Sequence, residues 1–518
     1  MATDNIHTIR KVSLGVSSPK GGSPFAMQED VANWWENELK PKLQVAFDEF
    51  KIVDEIIQIP KLDIVINADK GTDWQQGATK EIISKLKEQL SDQISTAGKI
   101  VSRAQSKEEQ KKAVRFSASL NVLETLSTYL VSGTLPWSIS TSGKEVIVQQ
   151  IAEAVEHSDF TPHREKLLLL LREQETARIR LSNLLAGTKG LIIDFYAALI
   201  PGLPVTLLNT WQEVIQTIAN KAAQQHLQIL FAANNAISRI AVESKTITAE
   251  KLMEEFEILV SGFIDKGIIG IEALNAIKNT PLPAPYDSIF ITIAKNKATV
   301  DGVKAEKSRH EKIKEVTEPE VALTEEKLQQ QLEQNILQNK KEEINKKEVE
   351  RIAEDGIYIS NAGLVLAAPF LNALFEKTEL AKDYKIQDID KAVCLVGYIV
   401  NGLQQQPEYE LLLPKILCGV GMEQAIDSSV YLDDMLTTEA DEMLKSLVEH
   451  WSVLGDTSVD GLRTSFLKRD GKLSFKNNEW LLQVEQKAYD MLLQQEPWNY
   501  NWIKLPWMPN LLKTEWVS

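Results

Sequence analysis

The run GLIIDFYAALIPGLPVTLL, residues 190–208, is about as long as a bilayer span requires and contains one charge, Asp194. Pro201 and Pro204 interrupt it. Because each proline removes a helix hydrogen bond, the run favours a bend between two buried helices over one continuous span. We therefore predict a water-soluble helical fold around this run, with membrane insertion as the alternative.

The composition supports a folded, soluble chain. It has 518 residues, of which 43% are hydrophobic, 25% charged and 7% aromatic, close to the average of globular proteins. At roughly 150 residues a domain, this length predicts three to four structural units. The formal charge is −16, from 57 Lys and Arg against 73 Asp and Glu, and we find no basic patch that reverses its sign. We expect no nucleic acid partner, because this charge repels phosphate.

The cysteines and the first residues indicate the compartment. Only Cys394 and Cys418 occur, so no disulfide framework supports the fold, and both lie in apolar stretches typical of buried thiols. The opening residues, MATDNIHTIRKVSLG, contain no apolar run long enough for a secretion signal. We expect assembly in the cytoplasm.

The pattern of apolar residues predicts a mainly α-helical, multi-domain protein with a small α+β unit at residues 1–100. Two strands are expected there, at Val12, Leu14 and Val16 and at Leu62, Ile64 and Ile66, because apolar residues alternate with polar ones. Helices are expected at residues 26–50 and around residues 82–94. Residues 101–300 are predicted to be helical, with a helix end at Gly133.

The remaining chain divides into a charged segment and a tryptophan-rich domain. Residues 301–355 contain 26 charged residues and no aromatic residue, so they favour a solvated helix or a linker. Residues 356–518, predicted to form a helical domain, contain six of the eleven tryptophans and carry −9 of the net charge. A faint repeat relates Tyr129-Leu-Val-Ser-Gly133 to Tyr398-Ile-Val-Asn-Gly402, which is weak support for a duplication.

Catalytic and metal signatures are absent from the sequence. It contains no GxxxxGK[ST], HExxH, CxxC pair or GxSxG. His157 and His163 lie near Asp159, but a surface turn is the better interpretation than a metal site. We therefore expect no catalytic residue, no metal and no cofactor.

The tail EPWNYNWIKLPWMPNLLKTEW, residues 496–516, has two interpretations. Tryptophans usually bury most of the ring while the indole N–H finds a partner, so we expect the tail to pack within its domain. Docking of a partner protein is the alternative, because exposed aromatic residues with prolines can form a binding surface.

The last third of the chain resembles the tape measure protein family of contractile injection systems, the phage-tail-like particles made by bacteria. The matching blocks are NAGLVLAAPFLNALFEK at 361–377, KILCGV at 415–420, EHWSVLGDTSVDGLRTSFLKRDGKL at 449–473, WLLQVEQKAYDMLLQQEPW at 480–498 and IKLPWMPNLLKTEW at 503–516. The front half matches at HTIRKVSLGV, IIQIPKLDIVI and LSTYLVSGTLPW, and residues 160–355 are similar only in character.

The resemblance implies structural rather than catalytic positions. They are Asn361, Gly363, Leu364, Pro369, Phe370, Leu417, Cys418, Gly419, Trp451, Arg463, Phe466, Leu467, Arg469, Gly471, Trp480, Pro497, Trp498, Leu505, Pro506, Trp507 and Trp516.

The resemblance also implies a non-enzymatic assembly protein that sets the length of the inner tube. Its implied partners are the inner tube and the baseplate or spike proteins, with self-association in the tube lumen as a further possibility. It would be cytoplasmic during assembly and then inside the particle. A helical scaffold or chaperone-like adaptor and a tube-carried effector remain alternatives. Because a fully helical chain would span roughly 780 Å, we expect both ends to anchor while residues 160–355 extend.

Overall fold

The computed structural model describes residues 7, 9, 12–15, 30–50, 52, 55–67, 74–99, 113–136, 143–156, 160–244, 246–304, 349–495 and 497–517. The chain divides into two compact units. The first contains Met1–Thr125 and His157–Phe160, and the second contains Leu126–Glu156 and Thr161–Ser518. The protein is mainly α-helical, as predicted.

Besides the α-helical residues 30–34, the described α-helices are α1 Lys40–Asp48, α2 Trp74–Thr96, α3 Ala118–Ser132, α4 Lys144–Glu156, α5 Phe160–Glu173, α6 Glu175–Leu184, α7 Leu191–Leu199, α8 Val205–Ala219, α9 His226–Glu243, α10 Ala249–Asp265, α11 Ile271–Lys278, α12 Tyr286–Lys304, α13 349–355, α14 Leu371–Lys377, α15 Ile389–Asn401, α16 Leu412–Leu417, α17 Asp434–His450 and α18 Val459–Leu462. Short 3₁₀-helices are Ala223–Gln225, Ala362–Phe370, Glu408–Glu410, Ser452–Leu454 and Ala488–Gln495, and π-helical turns are Trp35–Leu39 and Arg463–Leu467.

The described strands are β1 Glu55–Gln58, β2 Gly98–Lys99, β3 Val114–Ser117, β4 Ile357–Ile359, β5 Ala381–Lys382, β6 Lys385–Ile386, β7 Gly471–Lys476, β8 Glu479–Glu485, β9 Trp502–Ile503 and β10 Leu511–Val517. They form a three-stranded sheet β1-β3-β2, a five-stranded sheet β4-β7-β8-β10-β9 and the hairpin β5-β6.

The first unit is α+β, as predicted for residues 1–100, but its strands lie in other places, and β3 falls within the region predicted to be helical. Residues 12–15 and 59–67 form no strand, and β1 precedes Pro60 instead of following it. Leu62 and Ile64 still alternate with exposed neighbours, because they pack against the helical cluster of Ala46, Leu86 and Leu90. The period-two pattern therefore reflects alternating burial of a segment that is not part of a sheet, and the Asp63 and Val65 carbonyls accept hydrogen bonds from Gln89 and Lys85 of α2 instead. Val16 and the predicted helix start at residues 26–29 lie outside the described residues.

The run at residues 190–208 forms two helices, as predicted. Helix α7 ends at Leu199 and α8 begins at Val205, so Pro201 and Pro204 lie in the bend between them. The apolar faces of both helices are buried, while Asp194 is exposed. No helix among the described residues is long and apolar enough to cross a membrane.

Helices α6 to α12 pack together within the second unit. Trp211 of α8 is fully buried and donates its Nε1 hydrogen to the Leu252 carbonyl of α10 at 2.9 Å. Since the helices of residues 161–304 belong to the same compact unit as the C-terminal region, the expectation that they extend is wrong for this structure. Of the charged segment, residues 305–348 lie outside the described residues.

The C-terminal region combines helices with the five-stranded sheet, which the sequence did not predict. Helix α15 begins where the Asp388 side chain accepts the Lys391 N–H at 3.0 Å, and it ends at Gly402 in the left-handed region, φ 69°. Strands β7 and β8 form a hairpin whose turn residues, Asn477 and Asn478, both have positive φ. Strand β10 pairs in parallel with β8, and one sheet face is buried in the core.

Candidate functional site

The NAGLVLAAPF block, residues 361–370, is held in the C-terminal core by hydrogen bonds to backbone carbonyls. Asn361 Nδ2 donates to the Glu410 carbonyl at 2.7 Å, and the Ala362 N–H donates to the Arg469 carbonyl at 2.8 Å. A Cβ at Gly363 would overlap the Phe466 carbonyl, so only glycine allows this approach. The block therefore lies directly on the π-helical turn Arg463–Leu467.

Trp507, in the tail of residues 496–516, packs against the same core. Its Nε1 donates to the Leu417 carbonyl at the end of α16 at 2.8 Å, and its ring stacks on Phe375 with centroids 5.2 Å apart. Gly419 has a φ of +73°, and a Cβ there would overlap the Trp507 carbonyl. The tail and the end of α16 are thus fitted to each other.

A second aromatic cluster joins four predicted positions. The Trp451 ring lies 4.9 Å from Phe466 and 6.3 Å from Trp498, which in turn meets Phe370 at 5.0 Å. Trp498 Nε1 donates to the Leu366 carbonyl at 3.1 Å, and Trp451 Nε1 to the Leu492 carbonyl at 3.2 Å. These tryptophans pack within the domain, whereas Trp502 of the same tail is 52% exposed.

Arg469 is a fully buried charge. It forms two bonds with the Asp490 carboxylate, at 2.6 and 3.0 Å. The rings of Phe466, Tyr489 and Trp516 surround its guanidinium at 4.9 to 5.7 Å. Such a paired geometry offsets the cost of burying the charge. Asp490 was missed by the sequence analysis, because nothing in its neighbourhood marks it as a partner.

Arg463 binds the end of α15. Its Nε donates to the Ile399 carbonyl at 3.1 Å, its Nη2 donates to Asp441 Oδ1 at 2.6 Å, and its guanidinium lies over the Tyr398 ring. A Cβ at Gly402 would meet this guanidinium at 3.3 Å. The arginine therefore binds the helix end that belongs to the Tyr-x-Val-x-Gly repeat.

The other predicted positions divide by burial. Leu364, Leu417, Cys418, Leu467, Gly471, Trp480 and Leu505 are buried. Pro369, Pro497 and Pro506 are exposed, so the structure does not bring them into the core. Burial raises the pKa of the Cys394 and Cys418 thiols, which disfavours the reactive thiolate. Which of these positions matter for the particle stays a prediction.

A buried charge cluster that the sequence analysis missed consists of Arg180, Glu408 and Lys415. Arg180 Nε donates to Glu408 Oε1 at 3.2 Å, and Lys415 Nζ donates to the same oxygen at 3.1 Å. The three side chains are 0 to 2% exposed. Burial lowers the pKa of Lys415, and the Glu408 carboxylate opposes that shift. The available signal was the charges among the apolar residues of two segments, Arg178 and Arg180 in ARIRLSNLL and Lys415 in LLLPKIL.

A separate pair of carboxyl groups lies at the start of α15. Asp390 Oδ1 accepts the Asp427 N–H at 3.1 Å, and Asp427 Oδ1 accepts the Ser429 N–H at 3.0 Å. Burial, together with the charges of Asp427 and Asp388, raises the pKa of Asp390 to about 6. In the described part of the chain, no three His, Cys, Asp or Glu side chains could together hold a metal ion.

Comparison with known families identifies the chain. The model of the contractile injection system tape measure protein family matches residues 6–516. The chain belongs to this family. The match includes residues 160–355, where the sequence analysis found similarity only in character, and it associates this tape measure family member with a contractile injection system tube.

Other comparisons add little to the tape measure family match. The DNA mismatch repair proteins MutS of Rickettsia bellii strains OSU 85-389 and RML369-C are each 25% identical to this chain over 101 residues. That stretch is 20% of this chain, and the chain covers 11% of each MutS protein. No solved structure matches the chain.

Proposed function

We propose that this family member sets the length of the inner tube of a contractile injection particle. The observation that carries the proposal is the family match over residues 6–516. The described side chains are consistent with a structural role, because the buried charges of Arg463 and Arg469 are hydrogen-bonded to neighbouring segments. The inner tube and the baseplate or spike proteins are the proposed partners.

The packing of the second unit supports different roles for different parts of the chain. Helices α5 to α12 and the C-terminal region bury their apolar faces in one compact unit. Extending those helices would expose that core and cost free energy. We therefore propose that the length of residues 305–348, between α12 and α13, determines the length of the tube, and that the packed regions anchor this segment at both ends.

A deletion within residues 305–348 tests the proposal. Removing 30 residues in frame removes about 45 Å of chain if it is helical and roughly 100 Å if it is extended. No described contact is lost. Particles assembled with this deletion should be shorter by an amount in that range and still uniform, as measured by electron microscopy of a few hundred particles.

Two matched controls separate chain length from chain sequence. Replacing the same 30 residues by a shuffled version keeps the number of residues, so tube length should not change. Inserting 30 residues of similar composition should lengthen the tube by the same increment. Unchanged length in the deletion and insertion variants would exclude this segment as the ruler.

The alternatives predict different contents of the finished particle. A chaperone-like adaptor would be absent from mature particles, whereas a tape measure protein would be present at a fixed copy number. Quantitative mass spectrometry of purified particles measures this. A tube-carried effector would also be present, but deleting it would leave tube length unchanged.

A further inference from the structure

The Arg180 side chain joins four separate segments of the second unit. Its Nη1 donates to the Leu130 and Val131 carbonyls near the end of α3, at 3.0 and 2.6 Å. Its Nη2 donates to the Met422 and Glu423 carbonyls, at 2.9 and 3.0 Å. With the bond to Glu408, all five N–H groups of the guanidinium have an acceptor.

Lys415 is saturated in the same way. Its three hydrogens are donated to Glu408 Oε1, the Met422 carbonyl and the Gln424 carbonyl. Glu408 thus receives both cations on Oε1, with Arg180 supplied by α6 and Lys415 by α16, while its buried Oε2 accepts no hydrogen bond from the described residues. Both cations are fully satisfied only when α3, α6, α16 and residues 422–424 are all in place.

Two neighbouring contacts strengthen this junction. Asn183, one turn after Arg180 on α6, donates its Nδ2 hydrogen to the Ile426 carbonyl at 2.6 Å. The rings of Tyr129 and Tyr409 meet edge to face at 6.1 Å. Gly133 lies against the cluster, since a Cβ there would be 2.7 Å from Glu408 Oε1. Helix α6 therefore meets the C-terminal region through polar groups that need precise placement.

We propose that the Arg180–Glu408–Lys415 cluster is a conformational latch that holds the helices of residues 126–304 on the C-terminal region. Burying three charges is unfavourable unless every bond forms together, so a partly formed junction is less stable than either the closed or the separated state. The latch closes in an all-or-none manner. Opening it frees the junction while the helices distant from it stay folded. This device is a property of the purified chain and does not depend on the proposed ruler function.

Hydrogen exchange of the full-length protein, followed by mass spectrometry, tests the latch. In Arg180→Met, peptides covering residues 129–133 and 412–424 should exchange at least tenfold faster than in the wild type. Peptides of α8 should stay within twofold of their wild-type rates. Glu408→Gln should have the same local effect, because it keeps Oε1 as an acceptor but leaves both cations without a negative partner.

Lys445→Met is the matched control, since Lys445 pairs with Glu442 on the surface, where both side chains are more than half exposed. It should change exchange by less than twofold at every peptide. The latch is overturned if Arg180→Met behaves like this control, or if α8 loses protection together with the junction. Should Arg180→Met yield no folded protein, Arg180→Lys decides by the same tenfold and twofold limits, because it keeps the charge with fewer donors.

The triple variant Arg180→Met/Glu408→Met/Lys415→Met tests whether the three charges act as one unit. It leaves no unpaired buried charge, so the junction should exchange more slowly than in Arg180→Met alone. Faster exchange in the triple variant than in any single variant would show that the three residues act independently, which contradicts the latch.

Discussion

Replacing Trp507 by alanine distinguishes packing of the tail from docking of a partner. The substitution removes the stacking on Phe375 and the hydrogen bond to the Leu417 carbonyl. It also loosens the chain that covers Gly419, where the Trp507 backbone lies in contact. If the tail packs against the C-terminal core, the substitution should also destabilise the end of α16.

The stability lost in Trp507→Ala can be worked out from these contacts. Truncating a fully buried tryptophan to alanine costs about 3 to 5 kcal/mol, and Trp507 is partly buried, so the lower end applies. Of that sum, the hydrogen bond accounts for about 1 kcal/mol and the stacked pair for about 1 kcal/mol. A loss of about 3 kcal/mol corresponds to roughly 150-fold faster exchange through local opening.

Hydrogen exchange of the full-length protein measures this loss. Peptides covering residues 412–420 and 503–512 should exchange roughly 150-fold faster in Trp507→Ala, and peptides of α8 should not change. Trp502→Ala is the matched control from the same tail. Trp502 is 52% exposed and contacts Lys513 at 5.6 Å, so its loss should cost no more than about 1 kcal/mol.

One result would refute the packing argument. If Trp507→Ala leaves exchange at residues 412–420 unchanged while particles no longer assemble, the side chain serves a partner. Trp507→Phe refines the outcome, since it keeps an aromatic ring against Phe375 but loses the N–H, and it should cost about 1 kcal/mol.

Two further predictions concern backbone fit and pH. Gly363→Ala should destabilise the C-terminal region by about 3 kcal/mol in thermal unfolding, because the added Cβ would overlap the Phe466 carbonyl. Gly262→Ala is the control: Gly262 lies in α10 with open space around it, so this change should stabilise the protein by about 0.5 to 1 kcal/mol. Equal effects of the two substitutions would contradict the close approach at Gly363. The raised pKa of Asp390 means that the ionised carboxylate destabilises the fold above pH 6, and that this penalty fades as the pH falls through 6 towards 3.8. Asp390→Asn should therefore stabilise the protein at pH 8 by about 1 to 2 kcal/mol, after allowance for partial exposure, and by much less at pH 4, as measured by thermal unfolding at the two pH values. A gain of the same size at both pH values would show that the carboxylate charge is not the cause.

Local patterns predicted the helices better than the strands. The prolines after α7 and the glycine after α3 act on the backbone directly, and each ended a helix where the sequence indicated. The alternation at Leu62 and Ile64 gave the correct burial but the wrong element, because a strand needs a neighbour and the sequence does not specify one.

The C-terminal sheet and the charge cluster depend on distant partners. Strands β8 and β10 pair in parallel across the 25 residues between Glu485 and Leu511, so although burial alternates along β8, the sequence does not specify its partner. Arg180 and Glu408 are 228 residues apart. The charges of Arg180 and Lys415 beside apolar residues were visible, but most of the hydrogen-bond acceptors of these two cations are backbone carbonyls, which leave no mark in the sequence.

Each of the two Tyr-x-Val-x-Gly helix ends accepts a hydrogen bond from an arginine, and the two arginines follow their helix ends at different separations in the sequence. Arg180 binds the Leu130 carbonyl and lies 47 residues after Gly133, while Arg463 binds the equivalent Ile399 carbonyl and lies 61 residues after Gly402. The same contact is therefore compatible with an insertion of 14 residues between its partners. The exposed residues 455–456, which lie between Gly402 and Arg463 and outside the charge cluster, are accordingly a place where a fluorescent tag or an affinity epitope could be introduced without breaking either helix end.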